Sequence, residues 1–465
     1  MLFNSLSFLL FFPVVCIVYY AIPTLRLRNL LLLAASYYFY MCWEPVYALL
    51  LLTCTLTTYG AALLMAQKKT RLALTTGIVV NLLMLFFFKY FNFAAESVSA
   101  AMEMIGVRMH VPRLRVLLPV GISFYIFQAL GYLIDVSRGN VKAERDLLTY
   151  ALFVSFFPQL VAGPIERSTN LLRQFYQKHT FSGEEAVNGL HLMLWGFFLK
   201  LVLADRCAIY ADTIFNNLEY HNGSSILMAV FLFSFQIYGD FAGYSCIAIG
   251  CARVMGFRLL ANFRQPFLAS SISELWHRWH ISLSSWMKDY VYIPLGGSRS
   301  GHWRTYRNLM LTFLLSGLWH GACWTYIVWG SIHGLLLCIE RWLVTVQRTR
   351  RTQKGCRLGR VALTFTLFTL TLVVFRSDSL STACTAFTHI FTDSGHLPFV
   401  EGAATHLLYA SVAIAIVTVV DILTECGRLH VQSSMAGLIC SSIALLVVIL
   451  SIGVFDGGQF IYFQF

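Results

Sequence analysis

The chain has 465 residues, of which 58% are hydrophobic and only 12% are charged, and its mean hydropathy is +0.68. Soluble domains carry about 25% charged residues, so this composition excludes a soluble globular protein and predicts a polytopic membrane protein. The formal net charge of +12 is typical of a membrane protein with basic cytoplasmic loops. The alternative is a basic entrance that attracts an anionic substrate. Nucleic-acid binding does not fit so apolar a chain.

Apolar runs of about 20 residues, long enough to cross a ~30 Å hydrocarbon core, recur along the chain. They fall near residues 5–22, 29–43, 46–66, 72–95, 116–134, 148–163, 188–210, 224–256, 309–340, 361–376, 404–423 and 435–454. Some are expected to be split or re-entrant, so the sequence predicts an all-α fold with about 11 or 12 crossings. The first run is interpreted as a retained span, because no basic n-region precedes it and no small-residue cleavage site follows it. No repeat or linker divides the chain, which is expected to form one membrane domain over residues 1–465.

Lysine and arginine in short loops predict the orientation. Arg26 and Arg28 follow the first run, and basic residues 68, 69 and 71 follow the third, whereas the loop between the second and third runs has none. This pattern places the N-terminus outside. A denser basic loop is expected in the cytoplasm as well, with Arg348, Arg350, Arg351, Lys354, Arg357 and Arg360. The polar segment 377–403 is predicted to be an external loop.

Ionisable side chains inside apolar runs are costly and are often functional. Asp240 lies in the middle of a run between Gly239 and Gly243, where it either lines a polar cavity or has a structural partner. Lys200 and Asp205 lie near the end of another run, and a structural ion pair or snorkelling accounts for them about as well as a function does. The twelve cysteines are scattered without a Cys-x-x-Cys pair, so no disulfide or metal framework is predicted.

Residues 276–290 are predicted to form one amphipathic helix. At about 100° per residue, Trp276, Trp279 and Trp286 share one face. Arg278 and Asp289 fall on the opposite face. Such a helix suits an interface or a cavity wall.

His280 lies at the margin of the aromatic face and is expected to be buried. From the residues alone it is either a site residue or a hydrogen-bonded structural histidine. Glu274 and His277 have the Glu-x-x-His spacing of half a di-iron site, but the required second copy is missing from the sequence. No metal site is therefore predicted.

The run 309–340 would be roughly 48 Å long as a single helix, so we expect a break near Gly317 and Gly321. Irregular backbone at membrane depth is tolerated where it is buried in protein or lines a cavity. His320, beside Trp319, is therefore either a general base or a histidine that caps carbonyls freed by the break. The sequence contains no Walker-type nucleotide loop and no Gly-x-Ser-x-Gly elbow.

At these residues the sequence resembles the membrane-bound O-acyltransferase family, in particular its bacterial branch that acetylates alginate, cellulose and peptidoglycan or D-alanylates teichoic acid. The resemblance covers nearly the whole chain. The segments that carry it are Phe3-Asn-Ser-Leu-Ser-Phe-Leu9, Pro119-Val-Gly-Ile-Ser-Phe-Tyr125, Phe157-Pro-Gln-Leu-Val-Ala-Gly-Pro164, Trp276-His-Arg-Trp-His280 to Pro294-Leu-Gly-Gly297, and Gly317-Leu-Trp-His-Gly321. Family members often have a second aspartate where this chain has Cys246, although the first, Asp240, is kept.

The resemblance implies a ring of helices around a central funnel, with amphipathic and re-entrant helices and a catalytic core at about 116–340. It implies acetyl-CoA or another acyl thioester as a cytoplasmic donor, without a bound cofactor. It implies a polysaccharide or an acetyltransferase- or esterase-like partner protein on the outer face of a bacterial inner membrane. It places the essential histidine at His320 and the second site histidine at His280.

The sequence thus predicts a membrane O-acyltransferase, in the first place an O-acetyltransferase. His320 would act as general base, and His280 would orient the donor or stabilise the oxyanion. The residues predicted to line the substrate cavity are Trp276, Arg278, Trp279, Trp286, Asp289, Trp319 and Asp240. The alternative is a transporter or channel for an acyl donor or lipid, for which a neutral hydrogen-bonding residue at position 320 would suffice. A polytopic glycosyltransferase fits less well, because no external loop carries an acidic pair suited to a metal–phosphate site.

Overall fold

The computed structural model describes residues 1–67, 70–108, 111–114, 117–299, 301–347, 357–428, 435–455 and 460–461. Helices are the regular structure of these ranges, and no strand occurs within them. The predicted all-α class is therefore confirmed. Part of the basic sequence that predicts the orientation lies outside the described residues, namely Lys68, Lys69, Arg348, Arg350, Arg351 and Lys354.

The described part of the first 160 residues contains eight α-helices. These are α1 Leu6–Ala21, α2 Leu25–Met41, α3 Ala48–Ala66, α4 Thr70–Leu85, α5 Phe91–Met104, α6 Ile122–Ser137, α7 Leu147–Ser155 and α8 Phe157–Leu160. The apolar run predicted at 148–163 is split between α7 and α8, because Phe156 leaves helical geometry with ψ 111°. Pro158 stands in the first turn of α8, where its missing N–H leaves no helical hydrogen bond unmade.

Eleven further α-helices follow in the described residues. These are α9 Gly183–Phe197, α10 Asp205–Phe215, α11 Gly223–Val254, α12 Ile272–Arg278, α13 Ile281–Met287, α14 His302–His320, α15 Trp324–Gln347, α16 Arg357–Arg376, α17 Leu380–Thr392, α18 Ala404–Glu425 and α19 Met435–Ile452. The π-helical turns Phe86–Tyr90 and Phe198–Ala204 continue α4 into α5 and α9 into α10. Turns of this kind are rare and occur frequently at functional sites.

Eight helical stretches of the described chain are long and apolar enough to cross a membrane. Two shorter apolar helices, α1 and α6, accompany them. The protein is therefore a multi-pass membrane protein. The expected total of 11 or 12 crossings and the outside position of the N-terminus stay predictions.

The predicted break in the run 309–340 is confirmed, since α14 ends at His320 and α15 begins at Trp324. The prediction of a loop at 377–403 was wrong for residues 380–392, which form α17. Ser379 caps this helix, because its side-chain oxygen accepts a hydrogen bond from the backbone N–H of Thr382 at 3.0 Å. The segment was predicted as a loop because its composition is polar, whereas it contains a short helix that is apolar on one face only.

The described chain divides into two compact units, Met1–Leu190 with Ala248–Leu260 and His191–Ile247 with Ala261–Phe465. In the first unit, the guanidinium of the buried Arg28 donates to the carbonyl oxygens of Ile22 and His179 at 2.7 and 2.6 Å. One of the two arginines that follow the first apolar run is thus a buried residue of α2. The single domain expected over the whole chain stays a prediction.

The second unit contains all the residues predicted for the functional site. Two of its helical segments cross in backbone contact: a Cβ added at Gly196 on α9 would lie 2.5 Å from the carbonyl oxygen of Gly243 on α11. Small residues at such crossings let helix backbones approach closely in membranes. The crossing brings the π-helical turn that carries Lys200 next to Asp240 on α11.

Candidate active site around two buried histidines

Two buried histidines from different elements meet in the second unit. His280 lies between α12 and α13 and is fully buried, and His320 is the last residue of α14 and is 2% exposed. Their ring centroids are 6.4 Å apart. The ring of Trp319 lies 5.6 Å from that of His280 and 5.1 Å from that of His320. The fold thus brings His280 next to Trp319 and His320, which lie 39 and 40 positions further along the chain. The chemical role of these residues stays a prediction.

The position of His320 depends on a close crossing of α14 and α15. Helix α14 remains regular through Gly317, and the extended residue Gly321 follows its end at His320. A Cβ added at Gly317 would lie 2.2 Å from the carbonyl oxygen of Tyr326, and one added at Gly321 would lie 2.2 Å from the Tyr326 ring. Because neither position has space for a side chain, both glycines are needed to place His320 against α15.

Aromatic rings enclose the imidazole of His320. Trp319 and Trp329 lie 5.1 Å from it and Phe375 lies 5.7 Å from it, measured between ring centroids, and all three meet it edge to face. Trp329 belongs to α15 and Phe375 to α16, so three helices contribute to the enclosure. A site from which bulk water is excluded strengthens every hydrogen bond made to reacting atoms.

The prediction of one helix over residues 276–290 was wrong. The chain forms α12 and α13 with a break between them, and His280 adopts left-handed geometry with φ 44° and ψ 52°. The break is held by an adjacent segment: the N–H of Arg264 donates to the carbonyl of Arg278, and the N–H of Ile281 donates to the carbonyl of Asn262, both at 2.9 Å. A helical register does not persist across such a break, so the tryptophans do not form one continuous face.

Asn262 contacts His280 directly and was not predicted as a site residue. Its side-chain oxygen lies 3.0 Å from His280 Nδ1 and accepts a hydrogen bond from Ser282 Oγ at 2.9 Å. A single asparagine in a polar segment gives no periodic or motif signal. Only the folded chain shows that it faces the histidine.

The four predicted tryptophans occupy different environments. Trp319 lies beside both histidines, and Trp276 packs on Trp329 at 5.8 Å, one ring behind the enclosure of His320. Trp279 packs between Phe263 and Phe368, each at 5.1 Å, and belongs to the hydrophobic core. Trp286 packs on Tyr290 at 5.0 Å. Of the four predicted tryptophans, Trp319 and Trp276 therefore lie nearest to the two histidines.

His333 is a structural histidine. It is fully buried, its Nδ1 accepts a hydrogen bond from the indole N–H of Trp276 at 3.4 Å, and its Nε2 lies 3.0 Å from Thr371 Oγ1. Since Nδ1 accepts, the proton is on Nε2 and is donated to the threonine. The ring therefore ties α15 to α12 and α16.

Arg278 and Asp289 were predicted to line the cavity on the polar face of a single helix. The Arg278 guanidinium instead pairs with Glu274 at 2.6 Å and with Glu425 at 2.8 Å. The hydrogen bonds that the Arg278 guanidinium donates, first to Glu425 and then to Glu274, raise its pKa above the ordinary value. Arg278 therefore fastens α12 to the end of α18. Asp289 lies half-buried in the π-helical turn Lys288–Tyr292 after α13.

A second buried polar cluster surrounds Lys200. Its ammonium lies 2.6 Å from Asp240 Oδ1 and 2.8 Å from Asp205 Oδ1. The other Asp240 oxygen accepts a hydrogen bond from the backbone N–H of Ile461 at 2.7 Å. One cation thus bridges two carboxylates, which offsets much of the cost of burying them.

This cluster borders a polar cavity of about 330 Å³. The charged residues of its lining are Lys200, Asp205, Asp212, Asp240, Arg376 and Asp378. Tyr326 and Phe375 form an aromatic part of the same lining, with their rings 5.0 Å apart. Because Phe375 also packs on His320, one ring separates the polar cavity from the imidazole.

A more apolar cavity of about 250 Å³ lies along α12, α13 and α14. Trp276, Phe313 and Ser316 contribute to its lining, and Ser316 is one helical turn before His320. Lys288 and His277 supply its basic groups. These two cavities of the second unit therefore differ in character, and each shares a residue or a helical turn with the surroundings of His320.

Comparison with known proteins identifies the family. Residues 32–375 match the model of the membrane-bound O-acyltransferase family, MBOAT. The chain is 43% identical over 399 residues to a probable alginate O-acetylase AlgI of Azotobacter vinelandii, with 84% of this chain and 78% of that protein covered. It is 35% identical over 339 residues to the peptidoglycan O-acetyltransferase of Helicobacter pylori, with 67% and 63% covered. It is 28% identical over 243 residues to the teichoic acid D-alanyltransferase of Bacillus subtilis, with 48% and 60% covered.

The range matched by the family contains both histidines and the rings that enclose His320. The relatives named above differ in the polymer that their names give, but all are transferases of an acyl group. These relatives therefore support the predicted acyltransferase over the alternative of a transporter without chemistry of its own. The protein is a multi-pass membrane acyltransferase and belongs to the membrane-bound O-acyltransferase family.

Proposed function

We propose that the protein is an O-acetyltransferase of a bacterial inner membrane. It takes an acetyl group from a cytoplasmic thioester, acetyl-CoA, and delivers it to a hydroxyl of an extracytoplasmic polysaccharide or partner protein. The observation that carries this proposal is the pair of buried histidines whose rings lie 6.4 Å apart, with the aromatic enclosure of His320 bordering a polar cavity.

His320 is the general base of the proposed reaction. The imidazole removes the proton of the acceptor hydroxyl while the hydroxyl oxygen attacks the thioester carbonyl. The tetrahedral intermediate then collapses, its C–S bond breaks, and the proton on His320 passes to the leaving thiolate. The products are an O-acetyl ester and a free thiol, and His320 returns to its neutral form.

The donor enters beside α12 and α13 in this proposal. The apolar cavity lined by Trp276 and Phe313 suits the thioester arm of the donor. Basic side chains lie nearby in the sequence, at Lys288, Arg299 and Arg304, and they attract the phosphates of a coenzyme A donor. The proposal requires these residues to lie on the cytoplasmic side of the membrane.

The acceptor uses the polar cavity. Its carboxylates, including Asp212 and Asp378, accept hydrogen bonds from sugar or protein hydroxyls, and Arg376 donates to their oxygens. Arg376 also pairs with Asp212 at 2.8 Å, so the cavity presents both acceptors and a donor. A partner protein or a polysaccharide strand approaching from outside meets this lining before it reaches Phe375 and His320.

The proposal is tested by acyl transfer from labelled acetyl-CoA in membranes that carry equal amounts of each variant. His320→Ala and His320→Gln are both expected to lose about 10²–10⁴-fold in rate, because neither side chain can remove a proton. His396→Ala is the matched control, since this histidine is 78% exposed. Retained function in His320→Gln would favour the transport alternative, and unchanged transfer in His320→Ala would remove the general-base role. A parallel assay with a D-alanyl thioester separates acetyl from D-alanyl transfer.

A further inference from the structure

The side-chain oxygen of Asn262 is the point on which three groups of the α12–α13 break converge. It lies 3.0 Å from His280 Nδ1, 2.9 Å from Ser282 Oγ and 3.3 Å from the backbone nitrogen of Ser282. The side-chain nitrogen of Asn262 donates to Ser245 Oγ on α11 at 3.2 Å. Asn262, His280 and Ser282 are each at most 1% exposed. Water therefore does not compete for these hydrogen bonds.

The donors and acceptors of this cluster can be assigned. The backbone N–H of Ser282 can only donate, so the Asn262 atom that faces it is the carbonyl oxygen and not the amide nitrogen. The same oxygen faces His280 Nδ1. Because a carbonyl oxygen can only accept, Nδ1 carries a proton. In the neutral imidazole the lone pair then lies on Nε2.

We propose that Asn262 is a positioning residue of the acyl transfer, which holds His280 in the Nδ1–H tautomer and so makes Nε2 its proton-accepting atom. The inference rests on the proposed function and deepens it at the second histidine. His280 Nε2 accepts a hydrogen bond either from the acceptor hydroxyl or from the N–H that His320 carries once it has taken up the proton. It becomes an N–H donor to an oxyanion only after the imidazole itself has taken up a proton.

His333 shows that burial alone does not select this tautomer. It is as fully buried as His280, yet its Nδ1 faces the indole N–H of Trp276, a donor, and its proton is consequently on Nε2. The neighbouring group decides which nitrogen is protonated. Replacing the acceptor beside His280 therefore changes the chemistry of the ring as well as its packing.

Two substitutions of Asn262 separate positioning from simple structural support. Asn262→Leu removes the acceptor, and we expect transfer from labelled acetyl-CoA to fall by about 10–100-fold per folded protein, as for other groups that orient a histidine. Asn262→Asp keeps an oxygen facing Nδ1, and we expect this variant to retain a transfer rate within about fivefold of wild type. Its negative charge favours protonated His280, so the acid limb of the pH–rate profile shifts by about one unit to higher pH.

Asn81 is the matched control, because it is a fully buried asparagine in the other unit. Its side chain donates to the carbonyl of Gly77 at 2.8 Å and to Thr57 Oγ1 at 3.1 Å. Asn81→Asp and Asn81→Leu are expected to lower the melting temperature without moving the acid limb. A second measurement is independent of activity: ring-nitrogen NMR of protein with ¹⁵N-labelled histidine, with His280→Gln as the difference, reports protonated Nδ1.

The outcomes distinguish this inference from the proposed function. A wild-type pH profile in Asn262→Asp, together with a wild-type rate in Asn262→Leu, overturns the inference while leaving His320 as the base. Full transfer by His320→Ala overturns the proposed function. In that case the ring-nitrogen spectrum still decides, because a proton on Nε2 of His280 contradicts the inference whatever the activity. If Asn262→Leu does not fold, Asn262→Asp and the spectrum carry the test.

Discussion

Gly317 is the position at which a single methyl group tests the geometry of the site most directly. A Cβ there would lie 2.2 Å from the carbonyl oxygen of Tyr326 and 3.2 Å from the Cα of Gly330. Both obstacles are backbone atoms of α15, which cannot move aside as a flexible side chain does. Gly317→Ala therefore forces the helices α14 and α15 apart.

The size of the displacement follows from the contact distances. Real Cβ atoms do not approach other atoms within 3.0 Å, so the crossing has to open by at least about 0.8 Å. Overpacking of this kind costs about 1–3 kcal/mol of stability. His320 is three residues further along α14 and moves with it, and a misplacement of about 1 Å at a catalytic group can reduce the rate by about 10²-fold.

The assay is acyl transfer from labelled acetyl-CoA, normalised to folded protein, with a thermal melt of the detergent-purified variant. Gly60→Ala is the matched control, since a Cβ at this position in α3 meets no atom within 4 Å and alanine is the better helix former. We expect Gly317→Ala to lose both rate and melting temperature and Gly60→Ala to lose neither. A wild-type rate in Gly317→Ala would refute the argument that the close crossing places His320.

Two further predictions concern the polar cavity. Lys200→Met leaves the carboxylates of Asp240 and Asp205 buried without their cation, so we expect the free energy of unfolding to fall by about 3–5 kcal/mol and the melting temperature to fall with it. A melting temperature equal to that of the wild type would show that the cluster is not buried as described. Cys323 lies in the cavity lining, and in a variant whose exposed cysteines are serine we expect a membrane-impermeant maleimide to label it on intact cells and block transfer. Labelling only after the cells are opened would contradict an outward-facing cavity.

Much of the fold follows from the sequence because its causes are local. Apolar runs long enough to span a bilayer have to satisfy their backbone hydrogen bonds internally, and a helix is the structure that does so. The break after His320 was predictable for the same kind of reason: the run was too long for one helix, and glycine marks where it ends. The helix at Leu380–Thr392 was missed, because its apolar face is narrow and its composition is that of a loop.

The site was predictable in part. His320 and His280 stood out as histidines beside tryptophan, and the family motifs named the same pair. Asn262 did not stand out, because its importance depends on a left-handed break at His280 that is itself held by tertiary hydrogen bonds. The helical wheel over 276–290 failed for the same reason: it assumed that local periodicity continued through Trp279 and His280.

By itself the sequence determined the all-α class and the membrane character, and it named the two histidines as candidates, since run length, composition and motif are properties of neighbouring residues. The tertiary structure alone decided which partner each polar group received. It assigned Arg278 to Glu425 rather than to the cavity, Lys200 to two carboxylates, and His280 to Asn262. These assignments join residues up to 147 positions apart, and a buried polar group takes whichever complementary partner the packing of helices brings within hydrogen-bonding distance.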